Sequence, residues 1–406
     1  MIIINRPLYI EQINKFINKP VIKILTGMRR VGKSTLLRMV REQIQENVPK
    51  DNIVYLNFDS FTNLSIRDWQ SLSDNLRPLI ENKEGKLYFF FDEIQLVDGW
   101  ERVINGLQVD FDADIYITGS NSSMLSGDLS TALAGRYVHF EIQPFTFSEF
   151  CEIYKATDFS IDQLFSKYLL IGGMPFLGYF NLEEEAVYKY LNDVYHTVMV
   201  KDVLEYYQIR DVDIFNRILN FAVENIGHTF SALSIRNYFR SENRQVSVDT
   251  VLNYLDYCQK AYLIKKASRY DTLGKKLLKV EEKFYLTDHG FRQARGFSNQ
   301  KDIERVLENI VYIELLARGY EVKIGKVDQQ EIDFIAEREG KRAYYQVSYL
   351  LESESTRQRE FGVYDKIQDH FPKFVLSMDK LDFSQQGIVH SNLIDWLLAT
   401  DSGQSK

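Results

Sequence analysis

The chain has little cysteine, no long apolar run and no excess of positive charge. Its 406 residues include two cysteines, Cys151 and Cys258, far apart and without metal-ligand partners nearby. No disulfide framework beyond one bridge is available, and a reducing compartment is expected. No apolar stretch approaches the ~20 residues a membrane span needs. Met1 to Pro7 holds one basic residue and a very short apolar run, which is unlike a secretory signal. The expected location is cytoplasmic. The net charge of −8 argues against bulk coating of nucleic acid while leaving room for a local basic face.

What is present is a globular composition: 45% apolar, 26% charged and 14% aromatic, with 25 Tyr and 27 Phe. At ~100–200 residues per domain the length predicts two to four domains. The first third alternates strand-like runs (Val21–Thr26, Ile53–Phe58, Leu87–Phe91, Asp114–Thr118, Tyr137–Ile142) with helical stripes such as Leu36, Leu37, Val40 and Ile44. This alternation predicts an α/β fold with a parallel sheet between helices. After Pro144 the pattern turns helical to about Gln208, broken at Gly172-Gly173-Met174-Pro175. Short helices and a hairpin (Tyr262–Ser268, Lys283–Thr287) come next. A helix from Asp302 then leads into the strands Tyr320–Ile324, Glu331–Ala336 and Tyr344–Val347.

Gly27, Met28, Arg29, Arg30, Val31, Gly32, Lys33 and Ser34 spell G-x-x-x-x-G-K-S between a strand and a helix, the context a P-loop needs. Glycines let successive N–H groups point at phosphates, and the helix N-terminus adds partial positive charge. Lys33 is expected to reach the β- and γ-phosphates, and the Ser34 hydroxyl to ligate Mg2+. Thr35 continues the nucleotide-contacting run. The apolar strand Leu87–Phe91 ends in Asp92-Glu93. Asp92 is placed to hold the metal shell and Glu93 to orient and deprotonate the attacking water. After the strand Asp114–Thr118, Asn121 or Ser120 is the candidate γ-phosphate sensor; a plain Ser/Asn turn is the other reading. Arg136, just before Tyr137–Ile142, is a candidate arginine finger for a neighbouring subunit.

With these residues in place, the first ~150 residues resemble the AAA+ core, in the order P-loop, acidic strand end, polar strand end and pre-strand arginine. More narrowly, the chain resembles bacterial and archaeal AAA+ ATPases that carry a C-terminal domain of unknown function. The matching stretches are Leu25–Thr35, Thr118–Ser122, Gly135-Arg136, Gly172–Pro175, Lys201–Val203 and Glu331–Phe334. The resemblance implies ATP rather than GTP, and a helical lid after the core. The expected domains are a P-loop core at 1–146, a lid at 147–210, a winged-helix domain at 211–295 and an α/β restriction-endonuclease-like domain at 296–406.

Within 231–288 the helix starting at Ser231 and the one capped by Ser247 fit a winged helix. The Lys265–Tyr285 hairpin would be its wing, carrying Lys265, Lys266, Arg269, Lys275, Lys276 and Lys279 beside Arg236, Arg240 and Arg244. Such a face predicts salt-dependent DNA contacts, although Asp249, Asn253 and Asp256 on the presumed recognition helix suit base reading poorly. The last domain resembles the core of PD-(D/E)xK nucleases, with Glu308 or Glu314 as the helix carboxylate and Asp333 at the strand position. The third position reads Gln346-Val347-Ser348, where serine cannot stabilise developing charge as lysine does. Nuclease activity is therefore not expected. The function read from sequence is a Mg2+-dependent ATP hydrolase coupling nucleotide state to DNA or partner binding. The alternative is an ATP-controlled switch acting on protein partners, and an ATP-gated nuclease ranks last. A homo-oligomer is the arrangement that Arg136 would require.

Overall fold

The computed structural model describes residues 4–125, 133, 135–272, 274 and 276–399. Two packing units are present: one runs to Ile142 and includes Lys260–Tyr262, and the other holds Gln143–Gln259 and the chain from Leu263.

The first unit contains α1 (Pro7–Asn14), β1 (Ile22–Thr26), α2 (Lys33–Gln45), β2 (Ile53–Asn57), α3 (Trp69–Ile80), β3 (Leu87–Asp92), α4 (Trp100–Asp110), β4 (Ala113–Gly119) and β5 (Tyr137–Glu141). Its five strands are parallel and ordered β2-β3-β4-β1-β5. Every residue of β1 and β3 is buried, which explains why neither strand alternates polar with apolar residues. Leu72, Leu76 and Ile80 of α3 pack with Trp100, Ile104 and Leu107 of α4 against Ile22, Ile24, Phe89, Phe91, Ile115 and Ile117. Leu36, Leu37, Val40 and Ile44 of α2 are buried at their helical spacing. Each such side chain contributes about 1.5–3 kcal/mol on burial. An Asp68–Ser71 capping box starts α3, fixing where the chain turns back onto the sheet.

The second unit begins with helices α5 (Phe147–Ile153), α6 (Ile161–Ile171) and α7 (Glu184–Thr197), the last continuing as π-helix over Val198–Glu205. The order α8 (Val212–Glu224), β6 (Thr229–Phe230), α9 (Ala232–Ser241), α10 (Val248–Lys260), β7 (Ile264–Asp271) and β8 (Lys276–Leu286) is that of a winged helix, with β6 and β7 both antiparallel to β8. The hairpin is longer than its composition predicts: β8 begins at Lys276 instead of Lys283. Arg269–Asp271 of β7 pair in parallel with Ile324–Lys326, and this second ladder extends the strand. After α11 (Gly290–Ala294) come α12 (Ile303–Ala317), β9 (Glu321–Val327), β10 (Gln330–Arg338), β11 (Lys341–Val347), α13 (Glu354–Gly362), β12 (Lys373–Ser377), β13 (Val389–Asn392) and α14 (Leu393–Leu398). One sheet joins all of these strands in the order β13-β12-β11-β10-β9-β7-β8-β6.

The break at Gly172–Pro175 has a physical cause. Asp288 accepts hydrogen bonds from the N–H of Gly173 and of Gly290, both at 2.8 Å. A Cβ on Gly173 would run into the Phe145 carbonyl. The glycine pair therefore serves a close backbone crossing inside this unit.

Candidate functional site

The P-loop leaves β1 where Gly27 takes φ 140°, and Arg30 and Gly32 also lie at positive φ, 68° and 95°. A Cβ on Gly27 would collide with the Ile142 carbonyl, so only glycine fits there. Met28 and Val31 are fully buried and anchor the loop, while Arg30 is exposed. Gly32 is the N-cap of α2, so Lys33 and Ser34 open that helix and its unpaired N–H groups face the loop.

Lys33 is buried, and its Nζ donates to the carbonyls of Gly27 and Met28 at 3.0 and 3.1 Å. It lies 3.7 Å from Glu93 Oε1. Ser34 Oγ donates to Asp92 Oδ1 at 2.9 Å. Thr35 accepts a bond from Arg38 one turn on. Asp92, fully buried, takes three further donors: Thr118 Oγ1 at 2.6 Å on Oδ1, and Asn57 Nδ2 and Tyr55 Oη at 3.0 and 3.1 Å on Oδ2. Burial pushes the Asp92 carboxyl up, and these hydrogen bonds work against that. The Tyr55 phenol is pushed up to about 12 by burial and by the Asp92 charge.

Glu93 sits in the left-handed region at φ 57°, a conformation that costs a non-glycine residue about 1–3 kcal/mol. Its N–H donates to Thr118 Oγ1 at 2.9 Å. Its Oε2 accepts from Ser120 Oγ at 2.9 Å and Gln95 Nε2 at 2.5 Å. Burial opposes ionisation of this carboxyl, but Lys33, the Gln95 and Ser120 hydrogen bonds and the Arg29 charge outweigh it and hold it below its ordinary value. The group is therefore held as the carboxylate.

β4 lies between β1 and β3, which is how Thr118 and Ser120 reach both acidic residues. Of the two sensor candidates, Ser120 bonds to Glu93, and Asn121 is buried one residue further on. Tyr55, Asn57, Gln95 and Thr118 escaped the sequence reading. A weak signal existed for Asn57, a polar residue ending an apolar strand, whose register partner is Asp92. Arg136 does not join the cluster. It is exposed and precedes Tyr137, which pairs with Ile22, whereas the P-loop follows Thr26. Four residues of strand, about 13 Å at 3.3 Å each, separate it from the loop along β1.

Hydroxyl and carboxylate oxygens from Ser34 and Asp92 are the hard donors Mg2+ takes. The glycine cradle and buried lysine are the corresponding fit for a polyphosphate.

Part of the basic wing is engaged from within. Lys265 is buried, Lys266 lies 3.1 Å from Glu282, and Arg269 lies 3.5 Å from Glu331. Arg244 is paired with Asp213 and Arg236 bonds to Asn237, while Arg240 is exposed. Lys275 and the side chains of Lys276 and Lys279 lie outside the described residues. Of the cations expected to face phosphate, carboxylates on β8, β10 and α8 engage three: Lys266, Arg269 and Arg244. Ser247 does cap α10, accepting from the Thr250 N–H at 3.0 Å. In the C-terminal part Glu308 and Asp333 line one cleft with Gln346 and Ser348, whereas Glu314 pairs with Arg318 at 2.7 Å.

Residues 19–151 match the family described as AAA domain, and residues 162–301 match a domain of unknown function, DUF8612. An uncharacterized protein of Haemophilus influenzae is 35% identical over 97% of this chain and 98% of its own length. Another, from Methanocaldococcus jannaschii, is 30% identical over 90% of this chain and 81% of its own. Among solved structures, the Walker-type ATPase of Pyrococcus abyssi superposes with a TM-score of 0.51 at 15% identity, over 72% of this chain and 95% of that one; this likeness is one of fold. The P-loop, the acidic end of β3 and these full-length relatives lead to one assignment: the chain belongs to the AAA+ ATPase family whose AAA domain is followed by a domain of unknown function.

Proposed function

We propose that this protein hydrolyses ATP with Mg2+ at the carboxyl ends of β1, β3 and β4. The reading rests on the convergence of Lys33, Ser34, Asp92 and Glu93 on one buried cluster, with Thr118 bridging the two acids. Lys33 holds the β- and γ-phosphates, exchanging its two carbonyl contacts for them. Ser34 and Asp92 hold the metal, which neutralises phosphate charge when bound. Glu93 takes the proton of the attacking water, and Ser120 or Asn121 senses the γ-phosphate. Arg136 serves a neighbouring subunit's site, since its own lies at the other end of β1. In a test by phosphate release and nucleotide affinity, Lys33→Ala loses turnover by about 10²–10³-fold, the cost of one preorganised charged donor. Glu93→Gln keeps ATP and loses turnover by about 10²–10⁴-fold. Wild-type hydrolysis in Lys33→Ala would overturn the assignment.

We infer further that nucleotide state is passed to a protein partner rather than to DNA. The supporting observation is the engagement of Lys265, Lys266, Arg269 and Arg244 by burial or by carboxylates, beside exposed Leu233, Tyr238 and Leu252 on α9 and α10. A labelled duplex titrated between 50 and 200 mM salt, as a ~fourfold span over which phosphate contacts weaken steeply, decides between the two. Little binding at either salt supports the partner reading; tight binding at low salt that collapses at high salt supports DNA.

A further inference from the structure

The C-terminal cleft, of about 380 Å³, is lined by charged side chains of four elements, among them Lys283, Glu308, Glu331, Asp333, Arg359 and Glu360. Three carboxylates meet there at one ammonium. Lys283 Nζ stands 2.7 Å from Glu331 Oε1, 3.1 Å from Glu308 Oε2 and 3.9 Å from Asp333 Oδ1. Tyr285 Oη donates to the same Glu308 oxygen at 3.1 Å, and the Val347 N–H donates to Asp333 Oδ2 at 2.8 Å. Lys283, Asp333 and Glu360 are all more than nine-tenths buried.

Negative charge outweighs positive charge in this cluster. Glu360 binds Arg359 through Oε1 and leaves Oε2 buried with no hydrogen-bond partner. Burial, and then the Glu308 charge, push the Asp333 carboxyl well above its ordinary value. Burial alone would lower the Lys283 ammonium, yet Glu308, Asp333 and Glu331 hold it above the usual lysine range. A dense set of carboxylate oxygens opening on a cleft is what hard divalent cations take. Among the described residues, however, no three His, Cys, Asp or Glu side chains are arranged to hold a metal. The lysine stands at the point where the acids converge.

We propose that Lys283 is the resident cation of this cleft: its ammonium takes the place of a divalent metal, so the native chain binds none there and gains a metal site when Lys283 is removed. An ammonium satisfies the three acids and ties β8 to α12 and β10. It cannot lower the pKa of a bound water as a divalent ion does, so the cleft carries no metal-dependent hydrolysis. Ser348 stands at the position where the nuclease pattern would have lysine, and a lysine from another strand sits among the acids in the metal's place.

The test uses the full chain without nucleotide, with Asp92→Asn as a background that removes any contribution from the P-loop site. Mn2+ is titrated by electron paramagnetic resonance, and thermal unfolding is followed with and without Mn2+. Lys283→Met and the milder Lys283→Gln, which keeps a hydrogen-bond donor, are expected to bind one Mn2+ about tenfold or more tighter than the parent. Mn2+ should also raise their melting midpoint. Adding Asp333→Asn should abolish both gains. If neither variant gains Mn2+-dependent binding or stability, whether or not it folds without metal, the proposal is overturned. Binding by the parent chain that Asp333→Asn removes would overturn it equally, because the cleft would then be a working metal site.

Discussion

At the scale of the residue, the support of Asp92 is the feature that decides how the site works. A buried carboxylate with four donors, Ser34 Oγ among them, is held in one orientation before any ligand arrives. Removing one donor leaves the others in place. Asn57→Ala is expected to lower stability by about 1 kcal/mol, the net worth of one hydrogen bond, and to weaken Mg2+-dependent ATP binding while sparing metal-free nucleotide binding. Denaturant unfolding and nucleotide titration with and without Mg2+ check the two halves separately. Equal loss in both titrations would show that Asn57 acts on the fold alone. Asn57 and Tyr55 lie about 35 residues before Asp92 in sequence, as order-of-magnitude separations that no local pattern spans. The parallel register of β2 with β3 brings them beside it.

At the scale of the element, the turn Gly172–Pro175 and the segment Thr287–Gly290 explain one another. Asp288 is fully enclosed, and burial pushes its carboxyl up to about 7 while the N–H groups of Gly173 and Gly290 pull it down. The folded chain therefore holds this proton more tightly than the unfolded chain, whose Asp titrates near its ordinary value. Stability from the group is fully present below about pH 4. It is lost progressively as pH rises towards 7 and is constant above that. Asp288→Asn removes the dependence. The expected result is that the difference in melting midpoint between wild type and variant shifts between pH 4.5 and pH 8 (about the two ends of that window), with the wild type losing ground at the higher pH. A pH-independent difference would show the carboxylate to be ionised throughout. The sequence marked the glycine pair as a break in helices but could not show that an aspartate more than a hundred residues later secures it.

At the scale of the whole molecule, the position of Arg136 carries the consequence. It lies at the amino end of β5, and the P-loop lies at the carboxyl end of β1 beside it. If it serves a neighbour, Arg136→Ala keeps ATP affinity and loses turnover by about 10³-fold or more. Mixing Arg136→Ala with Glu93→Gln chains, each inactive alone, then restores part of the activity, because a Glu93→Gln subunit lends its arginine to an intact Glu93. Failure to complement at concentrations where light scattering shows assembly would remove Arg136 from catalysis. The winged-helix hairpin belongs to this scale as well. Its strand β7 is bonded on both edges, to β8 and β9, so the hairpin is part of an eight-stranded sheet.

The amino-acid sequence by itself determined the P-loop, the acidic end of β3, the parallel α/β core and the winged-helix order. These depend on spacing within about ten to twenty residues, where strand and helix periods are written directly. The tertiary structure decided which polar residues surround the two acids and which of the described cations meet a carboxylate. It chose Ser120 as the hydroxyl on Glu93, added Tyr55, Asn57, Gln95 and Thr118, and set Arg136 apart from its own P-loop. It also joined Lys266 to Glu282, Arg269 to Glu331, and Lys283 to Glu308, Glu331 and Asp333. A charge counted along the chain has no partner until the sheet is assembled, and burial then forces it to find one.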